Sequence, residues 1–206
     1  MPIRSAPIRS ALRLLTLAGI ITPVNATAGN GVPLDAEAND LVAKYLFLDP
    51  GLLLAILHLD GNSPQELIRL ISAGFPQDLV NKGKIAEMVA GLEILRYKEP
   101  IQRHKLHFWL QSGGSVAEVD YLVAVDAKVV PVEVKSGTQG GMKSLWQFMR
   151  AKHLHNAVRT SLENFGAFSH IDSLDDGASR NVTIIPLYAL SNFSSAPTPS
   201  MVFPLI

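Results

Sequence analysis

The sequence predicts an α/β (α+β) protein, a mixed β-sheet flanked by helices, and three observations carry that expectation. Two apolar-rich runs joined by a short turn fill residues 118–137, EVDYLVAVDAKVVPVEVKSG, and read as an antiparallel hairpin. Apolar residues recur at helical spacing over 8–20 and again over 84–97. Strand-like runs rich in aliphatic and aromatic residues stand at 20–25, 41–48, 105–111 and 182–190.

With 206 residues, 48% hydrophobic and 17% charged, the chain has material for one good core or two small ones. Its formal net charge of zero sets up no global field toward nucleic acid or anionic membrane, so any such binding must rest on local patches. The absence of cysteine excludes disulfides, thiolate metal sites and cysteine nucleophiles, and fits a cytoplasmic location. A metal would therefore sit on oxygen or imidazole.

At the amino end, Arg4, Arg9 and Arg13 accompany an apolar run that ends at Val24, and Ala26-Thr27-Ala28 imitates a leader-cleavage site. Arg13 interrupts the run, and Thr16, Gly19, Thr22 and Pro23 dilute it, so a short amphipathic helix reads as well as a secretory leader. No stretch reaches the roughly 18 apolar residues that span a bilayer, and no membrane partner is expected. Ile8, Ala11, Leu12, Leu15 and Ala18 make one face of the first helix, with Gly19 as its cap. A strand over 20–25, a loop over 26–39 and a strand over 41–48 follow. Helix, strand, long loop and strand form a winged-helix pattern without its first helices, and a helix on a plain hairpin fits the same spacing.

After the break at Asp49-Pro50-Gly51, residues 52–59 are uniformly apolar and are expected in the core. Ser63, Pro64 and Glu66 begin another helix, and the domain boundary is placed here, dividing 1–60 from 61–206. In the helix over 84–97 the buried stripe is Ile85, Met88, Val89, Leu92 and Leu95. Glu87 stands off that stripe, aligned with Gly91 and Ile94, and taken alone it reads as a solvated glutamate. His104 and His107, three apart beside a strand, point to opposite sides and are not expected to bind metal.

The chemistry concentrates in the hairpin. A two-residue turn at Asp126-Ala127 sets Val125 opposite Lys128 and, counting back, Asp120 opposite Glu133, with Lys135 on the same face as Glu133. Opposed carboxylates weaken a hairpin unless a cation lies between them or one faces away, so this trio is a candidate metal site. Asp120, Glu133 and the carbonyl of Val134 offer hard oxygens to Mg²⁺ or Mn²⁺, a set suited to phosphodiester hydrolysis. Lys135 would orient water or stabilise charge on the phosphate, and Glu87 would complete the shell if its helix packs across the sheet. A further helix is expected from Ser144, with Leu145, Phe148, Met149, Ala157, Val158 and Leu162 apolar along it. Between Ser136 and Ser161 the chain has no acidic residue, and Lys143, Arg150, Lys152 and Arg159 form a local basic run where a phosphate backbone could lie; a solvated helix face gives the same pattern. A last strand over 182–190 and an irregular end complete the chain.

Asp120 followed by Val132-Glu133-Val134-Lys135-Ser136-Gly137 resembles the core motif of the PD-(D/E)XK nuclease superfamily. Residues 131–137 with Ser144-Leu145 are more similar still to one branch, the carboxy-terminal region, of unknown function, of a family of prokaryotic AAA+ ATPases, in which a winged helix precedes a nuclease-like domain. Residues 12–21 are similar to the last helix and strand of that winged helix, 45–52 to the strand and turn after the wing, and 83–95 to the helix bearing the superfamily's first acid. The resemblance implies a restriction-endonuclease-like sheet behind a truncated winged-helix segment, with Glu87, Asp120, Glu133 and Lys135 as the catalytic site. It also implies Mg²⁺ or Mn²⁺ as cofactor, DNA as substrate and an AAA+ ATPase domain or subunit as partner, and it tells against a secretory leader. The ATPase half's G-x-x-x-x-G-K-[ST] loop has no counterpart, since Gly140-Gly141-Met142-Lys143 lacks both spacing and context, so no ATPase activity is expected of this chain. The expected function is metal-dependent DNA cleavage. The alternative is a catalytically silent DNA- or protein-binding module that regulates a linked ATPase, and a scaffold making only protein contacts is a third reading.

Overall fold

The computed structural model describes residues 5–56, 82–97, 105–111, 117–135, 141–162 and 164–195. Helix α1 (Ser5–Leu17) ends before Gly19, whose φ of +72° is the left-handed conformation that lets the chain turn back into β1 (Ile21–Thr27). A short 3₁₀ turn at Leu34–Glu37 leads into β2 (Ala38–Phe47), which pairs antiparallel with β1. Helix α2 (Pro50–Ile56) buries Leu54 but leaves Leu52 and Ile56 in water. This corrects the expectation that the apolar run lies wholly in the core: one side of a seven-residue helix packs on β2 and α3, and uniform apolarity does not bury the other. The boundary expected near residue 61, and the helix start at Ser63, fall outside the described residues.

Helix α3 (Lys82–Tyr97) is followed by β3 (Leu106–Leu110) and then by the hairpin of β4 (Glu118–Val125) and β5 (Lys128–Glu133). Helix α4 (Lys143–Ala151) leads to β6 (Asn156–Ser161), β7 (Gly166–Asp172), β8 (Ala178–Pro186) and a 3₁₀ segment over Leu187–Ser195. The eight strands form one sheet in the order β2-β1-β3-β4-β5-β6-β8-β7. It is mixed, as predicted: β1 runs parallel to β3, and β5, β6 and β8 are parallel to one another. The strands expected in the winged segment thus extend the same sheet, and Val24 and Leu46 share a core cluster with Ala90, Phe108 and Tyr121.

Helices cover both faces. Residues adjacent in a strand divide between two clusters, Val158 with Ile185 against α3 and Ala157 with Val182 against Leu145, Phe148 and Met149 of α4, as strand alternation requires. That division also corrects the expected helical tail. The helix stops at Ala151, His153 turns the chain with φ of +52°, and Ala157 and Val158 lie on opposite faces of a central strand. On α3 the buried side is wider than the predicted stripe and includes Glu87, Ala90 and Ile94, so Glu87 is not a solvated glutamate. Beyond α4, the fully buried Arg180 donates to Asp172 Oδ2 at 3.0 Å and to the Leu154 carbonyl at 2.5 Å, and it pairs with Asp175. Burial opposes ionisation of Asp172, yet Arg180 and Arg150 hold its carboxyl below the ordinary value.

Candidate active site

The hairpin has the predicted register. Asp126 and Ala127 both take positive φ, 48° and 59°, as a two-residue type I′ turn demands, and the pairing runs from Val125 opposite Lys128 to Tyr121 opposite Val132. One step further along, Asp120 Oδ2 accepts the Val134 N–H at 2.7 Å. Lys135 Nζ donates to Glu133 Oε1 at 2.7 Å, and the Lys135 N–H donates to Thr160 Oγ1 on β6 at 2.8 Å, fixing the end of β5 against the neighbouring strand. Asp120, Glu133 and Lys135 therefore converge as the sequence suggested.

A bulge in β4 brings α3 into the site. His107 pairs with Leu122 and Trp109 with Val119, so β4 takes three steps where β3 takes two, and the extra residue falls at Asp120-Tyr121. Successive side chains can then serve the same helix: Tyr121 Oη donates to the Glu87 carbonyl at 2.7 Å, while carboxylate oxygens of Glu87, Glu118 and Asp120 lie within 4.8 Å of one another. Glu118 belongs to this trio and Glu133 does not. Glu133 lies outside that 4.8 Å group yet near enough for its charge to act on Asp120.

Lys44 of β2, absent from the predicted site, stands among these acids. Its Nζ pairs with Glu87, donates to Glu118 Oε1 at 2.8 Å, and lies 4.7 Å from the Phe108 ring centroid. Lys84, one turn before Glu87, donates to Glu87 Oε2 at 2.9 Å. Sequence spacing held a signal for Glu118, two positions before Asp120 on the same strand. It held none for Lys44, whose place depends on β2 and β1 joining the sheet.

These partners set the charges. Burial, then the negative charges of Glu133 and Glu87, push the Asp120 carboxyl up to about 7 against the pull of the Val134 N–H. Burial also raises Glu133, more than Lys135 lowers it, and Glu133 Oε2 is buried with no hydrogen-bond partner among the described residues. Burial would raise Glu87 too, but Lys44 and Lys84 together hold it below its ordinary value.

The four predicted basic residues do not share a helix face. Lys143 is exposed at the start of α4, Arg150 bonds Asp172, Lys152 donates to Asn30 Oδ1 at 2.5 Å, and Arg159 lies on β6 opposite Glu133. The strand that replaces the expected helical tail accounts for the difference. His107 Nε2 lies 2.9 Å from Asp35 Oδ1, a structural contact, and it is not part of the acidic trio.

The family described as "Domain of unknown function (DUF4143)" matches residues 82–189, just over half of the chain. The chain belongs to the DUF4143 family. No curated protein and no solved structure gives a significant match. The DUF4143 region runs from α3 into the 3₁₀ segment after β8 and carries Glu87, Glu118, Asp120, Glu133 and Lys135; Lys44 reaches in from outside it. The trio of carboxylates within 4.8 Å could hold a metal ion, and an all-oxygen donor set suits a hard cation. Among the described residues no helix is long and apolar enough to cross a membrane.

Proposed function

We propose that the DUF4143 region of this chain is a divalent-metal-dependent nuclease domain of the PD-(D/E)XK type, cleaving phosphodiester bonds of DNA. The observation that carries this reading is Glu133 Oε2, a carboxylate oxygen buried beside Asp120 and Lys135 with no hydrogen-bond partner among the described residues. An orphaned buried acceptor is costly, and a cation relieves the cost. Asp120 and Glu133, with the Val134 carbonyl, are the residues that would hold Mg²⁺ or Mn²⁺, and Glu87 and Glu118 would support that shell. The chemistry such an ion supplies when bound is neutralisation of phosphate charge and acidification of water.

The chain's own groups have separate tasks. Glu133 Oε1 holds the Lys135 ammonium in place, and Thr160 anchors the Lys135 backbone, so the cation meets an incoming phosphate without reorganising. Asp120 is oriented by the Val134 N–H, which bonds its Oδ2. An AAA+ ATPase domain or subunit is the proposed partner, on the strength of the resemblance of residues 131–137 and of the strands before them.

Lys44 favours a second reading. It already neutralises Glu87 and Glu118, as expected of a catalytically silent scaffold that binds DNA or protein for a linked ATPase. Titration calorimetry with Mg²⁺ and with Mn²⁺, followed by incubation with single- and double-stranded DNA, separates the two. The nuclease reading requires metal binding and metal-dependent cutting that Glu133→Ala and Lys135→Ala each reduce at least a hundredfold without changing the circular dichroism. A wild-type protein that cuts no form of DNA or RNA rules it out. Salt-sensitive DNA binding that ignores chelator and never leads to cleavage would establish the silent module.

A further inference from the structure

A cavity of about 600 Å³ lies beside the motif, lined among others by Arg159, Ser161, Asn164, Phe165, Ile184 and Tyr188. Its place follows from strand register. Glu133 pairs with Arg159, Arg159 with Ile184, and Ile184 with Gly166, so one row of residues crosses β5, β6, β8 and β7 at the same level. Laterally paired residues face the same side of a sheet, and two strand spacings amount to roughly 10 Å. Glu133 and the cavity therefore share a face and a level. Ser161 is the last residue of β6, and Tyr188 follows the end of β8, so the cavity opens at the carboxyl ends of parallel strands, where open α/β sheets receive ligands.

We propose that this cavity seats one unpaired nucleobase next to the phosphate that meets Lys135 beside Glu133, stacked on Tyr188 and Phe165, so that the substrate is a single-stranded or locally opened segment. The proposal rests on the nuclease reading. Tyr188 is 73% exposed and Phe165 54%, whereas Tyr121, Phe148, Phe108 and Trp109 are buried; two rings thus stand in water at the rim of a cavity, where stacking would cover them. Ile184 supplies an apolar lining, and the Asn164 amide supplies both a donor and an acceptor for a base edge. None of the described lining residues is acidic, and the positive charge of Arg159 acts on Glu133, which ties the cavity's electrostatics to the motif. The volume falls within the range of small-ligand pockets, about 300–1,000 Å³, enough for a nucleotide and too small for a duplex. A chain with zero net charge has no global field for tracking a backbone, and base stacking supplies affinity that charge does not.

The test uses a short single-stranded DNA carrying 2-aminopurine, and the matching duplex, mixed with the full chain in EDTA so that nothing is cut. The expected result is tighter binding of the single strand than of the duplex and quenching of the 2-aminopurine. Tyr188→Ala and Phe165→Ala, both at largely solvated positions, should each weaken single-strand binding about tenfold and reduce the quenching. Equal binding by wild type and both variants, absence of quenching, or equal affinity for the duplex overturns the proposal. Cutting assays with Mn²⁺ keep the two readings apart. Metal-dependent cutting by wild type that Tyr188→Ala and Phe165→Ala leave unchanged, on single strand and duplex alike, overturns the base pocket and keeps the nuclease; quenching by a wild type that never cuts supports the pocket and overturns the nuclease.

Discussion

The Val134 N–H donates to Asp120 Oδ2 at 2.7 Å, so one acid of the opposed pair is held by the backbone next to the other, Glu133. This contact partly answers the repulsion expected between opposed carboxylates, because one Asp120 oxygen is engaged and Glu133 turns toward Lys135. It does not cancel burial, and Asp120 titrates at about 7 in the folded chain. An unfolded aspartate loses its proton near pH 4. Between these values the folded state binds more protons than the unfolded state, so stability falls as pH rises from about 4 to about 7. Asp120→Asn keeps an acceptor for Val134 and removes the titration. In metal-free buffer the variant should match wild type near pH 4 and exceed it at pH 8 by on the order of 1 kcal/mol in urea unfolding. A stability difference that does not change with pH would refute this.

Lys44 gives a second prediction. It stands between Glu87 and Glu118 as the chain's own cation, partly buried over Phe108 and Tyr121. A divalent ion entering the trio must share those oxygens with it. Lys44→Met keeps the aliphatic stem and removes the charge, so Mn²⁺ affinity measured by calorimetry should rise about tenfold, equivalent to about 1.4 kcal/mol. Unchanged or weaker binding would mean that Lys44 organises the acids for the metal instead of competing with it.

How much of this could be read in advance depended on how local the physics was. The hairpin was legible because its turn, alternation and opposed acids all lie within one stretch, Glu118 to Lys135, and α1, β1, β2 and α3 were legible from their periodicity. Strand β6 was not, because a central strand buried on both faces, Asn156–Ser161, carries Thr160 for a backbone contact and lacks clean alternation. Glu87 reads in isolation as solvated because Lys44, one of the two lysines that neutralise it, lies 43 residues away. The row from Glu133 through Arg159 to Ile184 exists only once three parallel strands are assembled.

At Gly91, α3 lies directly against side chains of the sheet. A Cβ at that position would lie 2.5 Å from Tyr121 Oη and still closer to Leu46. Tyr121 cannot retreat without losing its hydrogen bond to the Glu87 carbonyl. Gly91→Ala should therefore destabilise the fold by about 1–3 kcal/mol, despite the higher helix propensity of alanine. It should also raise the Glu87 carboxyl by loosening its helix from Lys44. Chemical denaturation reads the first effect and side-chain carboxyl NMR the second; a variant as stable as wild type would show that the helix can shift outward at no cost.

The turn that sets the register offers the opposite case. Asp126 and Ala127 both occupy the left-handed region, at φ of 48° and 59°, and alanine has no polar side chain to offset the steric cost there. Type I′ turns favour Asp-Gly at these two positions. Ala127→Gly removes the Cβ clash, which outweighs the added freedom of the unfolded chain because the native φ suits glycine better. The variant should gain about 1 kcal/mol in urea unfolding and leave metal binding unchanged, since the turn lies at the far end of the hairpin from Asp120. A loss of stability would mean that neighbouring contacts hold Ala127 without strain. A loss of metal binding would mean that the alanine turn, through register, helps to place Asp120 against Val134.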